Sequence, residues 1–381
     1  MSRFHRSPLA VAASAGALLA LSACGSGTDT AAAPAAGGPI KVEASDTACN
    51  VSVGTANAGN VTFEITNKGT KVTEFYLYAE GDRIMGEVEN IAPGLNRRLI
   101  VEVADAGKYQ ATCKPGMTGN GIRNDFTVTG GAAKQNDTNA LKAEATKSYA
   151  SYVANNSAAL EEQTGKFVEL VKAGKVAEAK AAYASTRIYY ERIEPVAEKF
   201  GDLDPAIDFR EADIEAGQQF TGFHRLEKDL WVSGLQADSS QIADKLLTDV
   251  KDLVAKSKTL DLTALDLANG AKGLMDEVAT GKITGEEEAF SHTDLWDFQA
   301  NLDGSKAAIA SLRPILQEGD PALVATLDKE FANVQALLTK QAVGDGFKLY
   351  TELSPDQIKE FASAVDALSE PLSKVAEVVA K

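Results

Sequence analysis

Hydrophobic and polar positions follow a short period between Pro39 and Gly130, in the runs VTFEIT (61 to 66), TEFYLY (73 to 78), RRLIVEV (97 to 103), KYQATC (108 to 113) and DFTVTG (125 to 130). A period near two turns one face of a strand toward a core, and the intervening NKG, EGD, APG and DAG segments supply turn residues. The pattern predicts a small antiparallel β-sandwich over residues 39–130. Past Lys134 the texture changes to Ala, Leu, Lys and Glu at helical spacing. In 239–258 the apolar positions Ile242, Leu246, Leu247, Val250, Leu253 and Val254 form one stripe behind a serine cap. Near the C-terminus Ser354 is the expected cap, with Pro355 at the first helical position. Residues 131–381 are therefore expected to form an all-α bundle of about seven or eight helices.

The first residues belong to neither domain. Arg3, His5 and Arg6 precede an apolar run from Leu9 to Leu21, too short for a permanent span and arranged as in a signal peptide over residues 1–23. Leu21-Ser22-Ala23-Cys24 resembles a bacterial lipobox, which implies a lipid on Cys24. Residues 24–38, rich in Gly, Ala and Thr, read as a flexible tether. The expected location is the outer face of the cytoplasmic membrane, with membrane contact through the lipid alone.

Composition narrows the chemistry. With 44% hydrophobic and 24% charged residues the chain can build ordinary cores. The 38 basic against 54 acidic residues give a net charge of −16, which disfavours nucleic acid and favours a cation. Three cysteines exclude a disulfide framework and a four-thiolate zinc site, and three histidines limit any imidazole-rich centre. The segment KYQATCKPGMTGNG, with Cys113 and Met117 four apart, looks like the copper loop of a cupredoxin. Blue copper needs two imidazoles, and no histidine occurs between 39 and 130. Cys49 and Cys113 are then either a structural disulfide, as export favours, or thiolates that join Glu74 and Glu89 in a copper or iron site.

Candidate chemistry concentrates between Tyr183 and Val232. Glu191 and Glu194 are three apart on an expected helix, so both carboxylates leave one face, and His224 and Glu227 repeat that spacing. Two such pairs on facing helices can converge as in di-iron bundles, with Asp208 supplying a further oxygen and Arg210 orienting a carboxylate. Glu286 to Glu288 and His292 are less defined, and Trp296 fits packing. One imidazole among carboxylates suits Fe(III) or Fe(II), is tolerable for Mn or Zn, and is too oxygen-rich for Cu(I).

The strings YERIEP, DFRE, TGFHRLEKDLW and GEEEAFSHTDLWDFQANLDG resemble the imelysin-like domain of EfeO-type iron-uptake proteins. The Cys49 region, TEFYLY, ENIAPG and the Cys113 loop resemble the cupredoxin-like domain of the same family. The resemblance implies an extracytoplasmic iron-binding component that works with a membrane ferrous-iron permease and a secreted haem peroxidase. Carried over by position, it implies a helical-domain site at Glu191, Glu194, Asp208, His224 and Glu227, and a β-domain site at Cys49, Glu74, Glu89 and Cys113 that could take copper or zinc besides iron. A redox role as ferroxidase or reductase is the alternative. A metallopeptidase is disfavoured, because H-E-x-x-H chemistry needs a glutamate after the first histidine and Arg225 stands there.

Overall fold

Two sheets face each other at the N-terminal end of the computed structural model, which describes residues 38–130, 140–214 and 217–381. The signal peptide, Cys24 and the tether up to residue 37 lie outside the described residues. The first sheet joins β1 (Ile40–Ala44), β2 (Cys49–Val51), β4 (Gly59–Asn67) and β7 (Asn96–Val103) in the order β2-β1-β4-β7. The second joins β3 (Thr55–Asn57), β5 (Thr73–Tyr78), β6 (Ile84–Ile91), β8 (Gly107–Pro115) and β9 (Ile122–Thr129) in the order β3-β9-β8-β5-β6. The pairs β1 with β4 and β3 with β9 are parallel and the other pairs in these sheets antiparallel, a refinement of the antiparallel sandwich expected from the sequence.

Inward side chains from both sheets make the sandwich core. Phe63 meets Phe75 and Phe126 at ring-centroid separations of 5.0 and 5.4 Å. Cys49 on β2 and Cys113 on β8 are joined as a disulfide that staples one sheet to the other. Every residue of β5 is buried, because its second face is covered as well, and this erased the alternation that would mark a half-exposed strand.

The helical domain holds α1 (Ala140–Lys172), α2 (Val176–Glu191), α3 (Leu203–Asp208), α4 (Gly222–Lys228), α5 (Ser239–Ser257), α6 (Ala264–Thr280), α7 (Asp294–Gly319), α8 (Pro321–Lys340), α9 (Pro355–Leu372) and α10 (Val375–Val379). Seven of these described helices have 16 or more residues, in line with the expected bundle. Ser354 caps α9 through its Oγ, which accepts the Gln357 N–H, and Pro355 is its first residue. The serine cap expected on α5 is absent. Asp238 holds the cap position without a side-chain capping bond, while Ser239 Oγ accepts the Gln236 N–H and donates to Asp229 Oδ2, each at 2.7 Å.

The domains share a packed boundary. α6 lies against β6 and β7. Asn269 Nδ2 donates to the Ile100 carbonyl at 2.9 Å, and the Ile100 side chain belongs to the helical core. Arg98 and Glu377 form an ion pair across the same boundary.

Candidate metal centre

Four segments converge near the end of α2. That helix stops at Glu191, and the chain turns into a 3-10 segment, Glu194–Phe200, so Glu191 and Glu194 are not on one helix as their spacing suggested. α3 ends at Asp208. α4 begins at Gly222, whose φ of +80° belongs to the left-handed region. A Cβ there would lie 2.2 Å from the Ile207 carbonyl oxygen, so only glycine lets α4 start against the end of α3 and bring His224 beside Asp208. The loop before α7 carries Glu287 and Glu288. Glu227 Oε1 accepts the Phe290 and Ser291 N–H groups at 2.9 and 2.6 Å, which ties that loop to α4.

His224 is 1% exposed. Its Nδ1 lies 3.2 Å from Glu227 Oε2. Its Nε2 is buried without a hydrogen-bond partner and lies 3.7 Å from both Asp208 Oδ1 and Glu287 Oε1. Among the described residues two triads, Asp208–His224–Glu287 and His224–Glu227–Glu288, each place three ligand-type atoms within 4.8 Å of one another. A buried imidazole nitrogen aimed at two carboxylates is a donor set that a hard or borderline cation fits.

Two buried cations organise the acids, and neither was singled out from the sequence. Arg187, fully buried on α2, pairs with Glu191 and Asp208, with Glu287 at 3.1 Å and with Glu288 at 2.6 Å. The Glu288 contact is close enough for an ion pair but lacks hydrogen-bond alignment, since both atoms remain without such a partner. Lys282 Nζ contacts Glu194 Oε1 at 2.7 Å, Glu191 Oε2 at 3.0 Å and Glu287 Oε1 at 3.5 Å. The one sequence signal for Arg187 is its position a helical turn before Glu191. Lys282 had none, because its two nearest partners, Glu191 and Glu194, are 91 and 88 residues away in the chain.

Charges here are set by competition. Burial opposes ionisation of Glu287, yet Lys282 and His224 overcome it and hold the carboxyl well below its usual range. Glu288 goes the other way, pushed well up by burial and by Glu227. Burial and Arg187 resist charge on His224, but the contact with Glu227 and the nearby carboxylates of Glu287 and Asp208 prevail and raise it to about 9. The metal-free centre therefore keeps its imidazole protonated near neutral pH.

The remaining expected residues separate. Glu191 and Glu194 face Lys282 and Asn301, whose Nδ2 donates to both at 2.9 and 2.6 Å. Arg210 does orient acids: it bonds Asp213 at 2.7 Å and reaches Glu286 and Glu287 at 3.2 and 3.4 Å. His292 belongs to neither triad. Trp296 packs edge-on against Phe347.

In the sandwich the mixed thiolate-carboxylate site does not form, and that expectation is corrected. The Cys49 and Cys113 sulfurs are bonded to each other inside the core, whereas Glu74 and Glu89 hydrogen-bond Tyr76 on the opposite face of the second sheet. Tyr76 Oη lies 3.1 Å from Glu74 Oε2 and 3.0 Å from Glu89 Oε1. One hydroxyl has one hydrogen, so two ionised carboxylates would have to share it, and protonation of one relieves that competition. Burial and Glu74 accordingly push Glu89 up to about 7.

Two family models agree with this two-domain order. The imelysin family model matches residues 145–375, and the model of the cupredoxin-like domain matches residues 12–128. "Iron uptake system component EfeO" of Escherichia coli O157:H7 is 40% identical over 346 residues, covering 89% of this chain and 91% of the relative. The protein of the same name from E. coli K12 is 39% identical over the same coverage. Reduced auracyanin of Roseiflexus castenholzii aligns with a TM-score of 0.22 and 16% identity, covering 25% of this chain and 100% of its own.

Proposed function

The chain belongs to the EfeO family, and from that premise we propose that it is the extracytoplasmic, iron-binding component of an iron-uptake system, held at the membrane by lipid on Cys24. No helix among the described residues is long and apolar enough to cross a membrane. The cargo is Fe(II) or Fe(III), captured in the helical domain and passed to a membrane permease, with a secreted haem peroxidase as the third part of the system.

One observation carries the reading. His224 Nε2 is a buried donor atom with no partner, facing Asp208 and Glu287, while Glu227 fixes the ring through Nδ1. A carboxylate on one ring nitrogen fixes the tautomer and leaves the other to a metal. Iron would take Nε2 with oxygens from Asp208 and Glu287. Glu227 and Glu288 lie on the other side of the ring, where Glu227 also holds the loop. Arg187 balances the acids while the centre is empty, and the incoming ion must displace the imidazole proton. Affinity therefore falls as pH drops, steeply below about pH 5, where carboxylates also protonate. With both sulfurs in a disulfide, the sandwich offers no thiolate for copper or zinc.

X-ray absorption of the iron-loaded protein tests the donor set. One imidazole nitrogen and otherwise oxygen neighbours are expected. A sulfur shell, or iron with no imidazole scattering, would place the cargo elsewhere.

A further inference from the structure

We propose that Lys282 is a tethered resident cation that fills the Glu191–Glu194 side of the centre and limits the protein to one metal ion. The inference rests on the iron-binding reading above and goes further by fixing stoichiometry.

The two halves differ in what is left open: Arg187 pairs with the Asp208 and Glu287 carboxylates of the His224 side but leaves the imidazole nitrogen donor free. On the His224 side a nitrogen donor lies unpartnered between carboxylates. On the other side an ammonium is already seated. Lys282 is fully buried, and its Nζ lies 2.7 and 2.8 Å from the two oxygens of Glu194 and 3.0 Å from Glu191 Oε2. Those oxygens use the three N–H donors of an ammonium. Carboxylates on a divalent ion sit at about 2.0–2.6 Å, so a metal and the ammonium cannot share this space.

The lysine is also held from behind. It opens the 3-10 turn Lys282–Thr284, in which the Gly285 N–H returns to the Lys282 carbonyl at 2.9 Å. Tyr350 Oη donates to the Ile283 carbonyl, fixing the turn against α7, where Tyr350 meets Phe298 edge-on. Asn301 Nδ2, directed at both glutamates, further commits their lone pairs. Without the ammonium, Arg187 still pairs with Glu191 and Glu287, but the three carboxylates outnumber it and leave buried negative charge that a proton or a second cation would offset.

The test is anaerobic equilibrium dialysis of the two-domain chain against Fe(II) near neutral pH, with elemental analysis and circular dichroism. Wild type is expected to hold one iron and Lys282→Met two, with the added ion lost again in Lys282→Met/Glu194→Gln. His224→Ala should remove the first ion in either background. A Lys282→Met protein that stays at one iron overturns the proposal. Should that variant fail to fold, Glu194→Gln in the wild-type background decides, because it alters no net cation: one iron retained supports a lysine-occupied half, and loss of the iron contradicts it. Wild type without iron would instead sink the iron-binding reading itself, a distinguishable result.

Discussion

His224 shows how burial and charge compete at one side chain. Its folded-state pKa of about 9 lies above the ordinary histidine value of 6.5, because Glu227, Glu287 and Asp208 outweigh burial and Arg187. A group raised on folding contributes stability that is fully present below about pH 6.5 and lost as pH rises through about 9, of order 3 kcal/mol for this shift. The metal-free protein is therefore expected to melt at falling temperature between pH 6.5 and 9, and His224→Gln to flatten that decline. Scanning calorimetry across the window checks it; an identical slope in the variant would mean that other groups carry the dependence. Legibility at this scale was uneven. His224, Glu227 and Asp208 stood out by residue type and spacing, whereas Arg187 and Lys282 are common residues whose meaning comes from burial.

At the scale of elements, Gly222 is the hinge between sequence and site. Gly222→Ala would drive a Cβ into the Ile207 carbonyl and hold a positive φ without glycine. It should destabilise the protein by about 3 kcal/mol and weaken iron binding through displacement of α4. Urea titration with iron-binding curves separates the two effects, and unchanged binding would show that α4 need not meet α3 so closely. The Cys49–Cys113 bond closes a separation of 64 residues, so its loss should cost about 4 kcal/mol in the chain-entropy model. Cys49→Ser/Cys113→Ser should lower the stability of the sandwich and leave the iron count unchanged; loss of iron would return the sulfurs to the centre. The strands with clear turn punctuation were legible in the sequence. The Ser239 cap and the single Glu191–Glu194 helix were not, because Asp229 claims the serine hydroxyl and the chain turns at Arg192.

The whole molecule adds a boundary lined with acids. Glu74, Glu87 and Glu89 on the sandwich face Glu198 and Glu277 of the helical domain, with Lys114 as a nearby cation. Burial, then the neighbouring carboxylates, raise Glu89 and Glu277 to about 7. Stability held by these protonated acids is present below their ordinary range and lost as pH rises through about 7. Glu277→Gln is thus expected to raise the melting temperature at pH 8 and to leave it nearly unchanged at pH 5; destabilisation at pH 8 would mean that attraction to Lys282 and Arg210 dominates. No sequence pattern announced this boundary, since each glutamate alone looks like a solvated surface acid. The two-domain order was legible because period and composition both change near residue 131. The claim that joins these scales is one iron ion at His224. Dialysis of wild type and of His224→Ala/Glu227→Gln against iron, with elemental analysis and circular dichroism, addresses it directly. One equivalent in wild type and none in a folded variant is expected, while equal iron in both would contradict a centre built on His224.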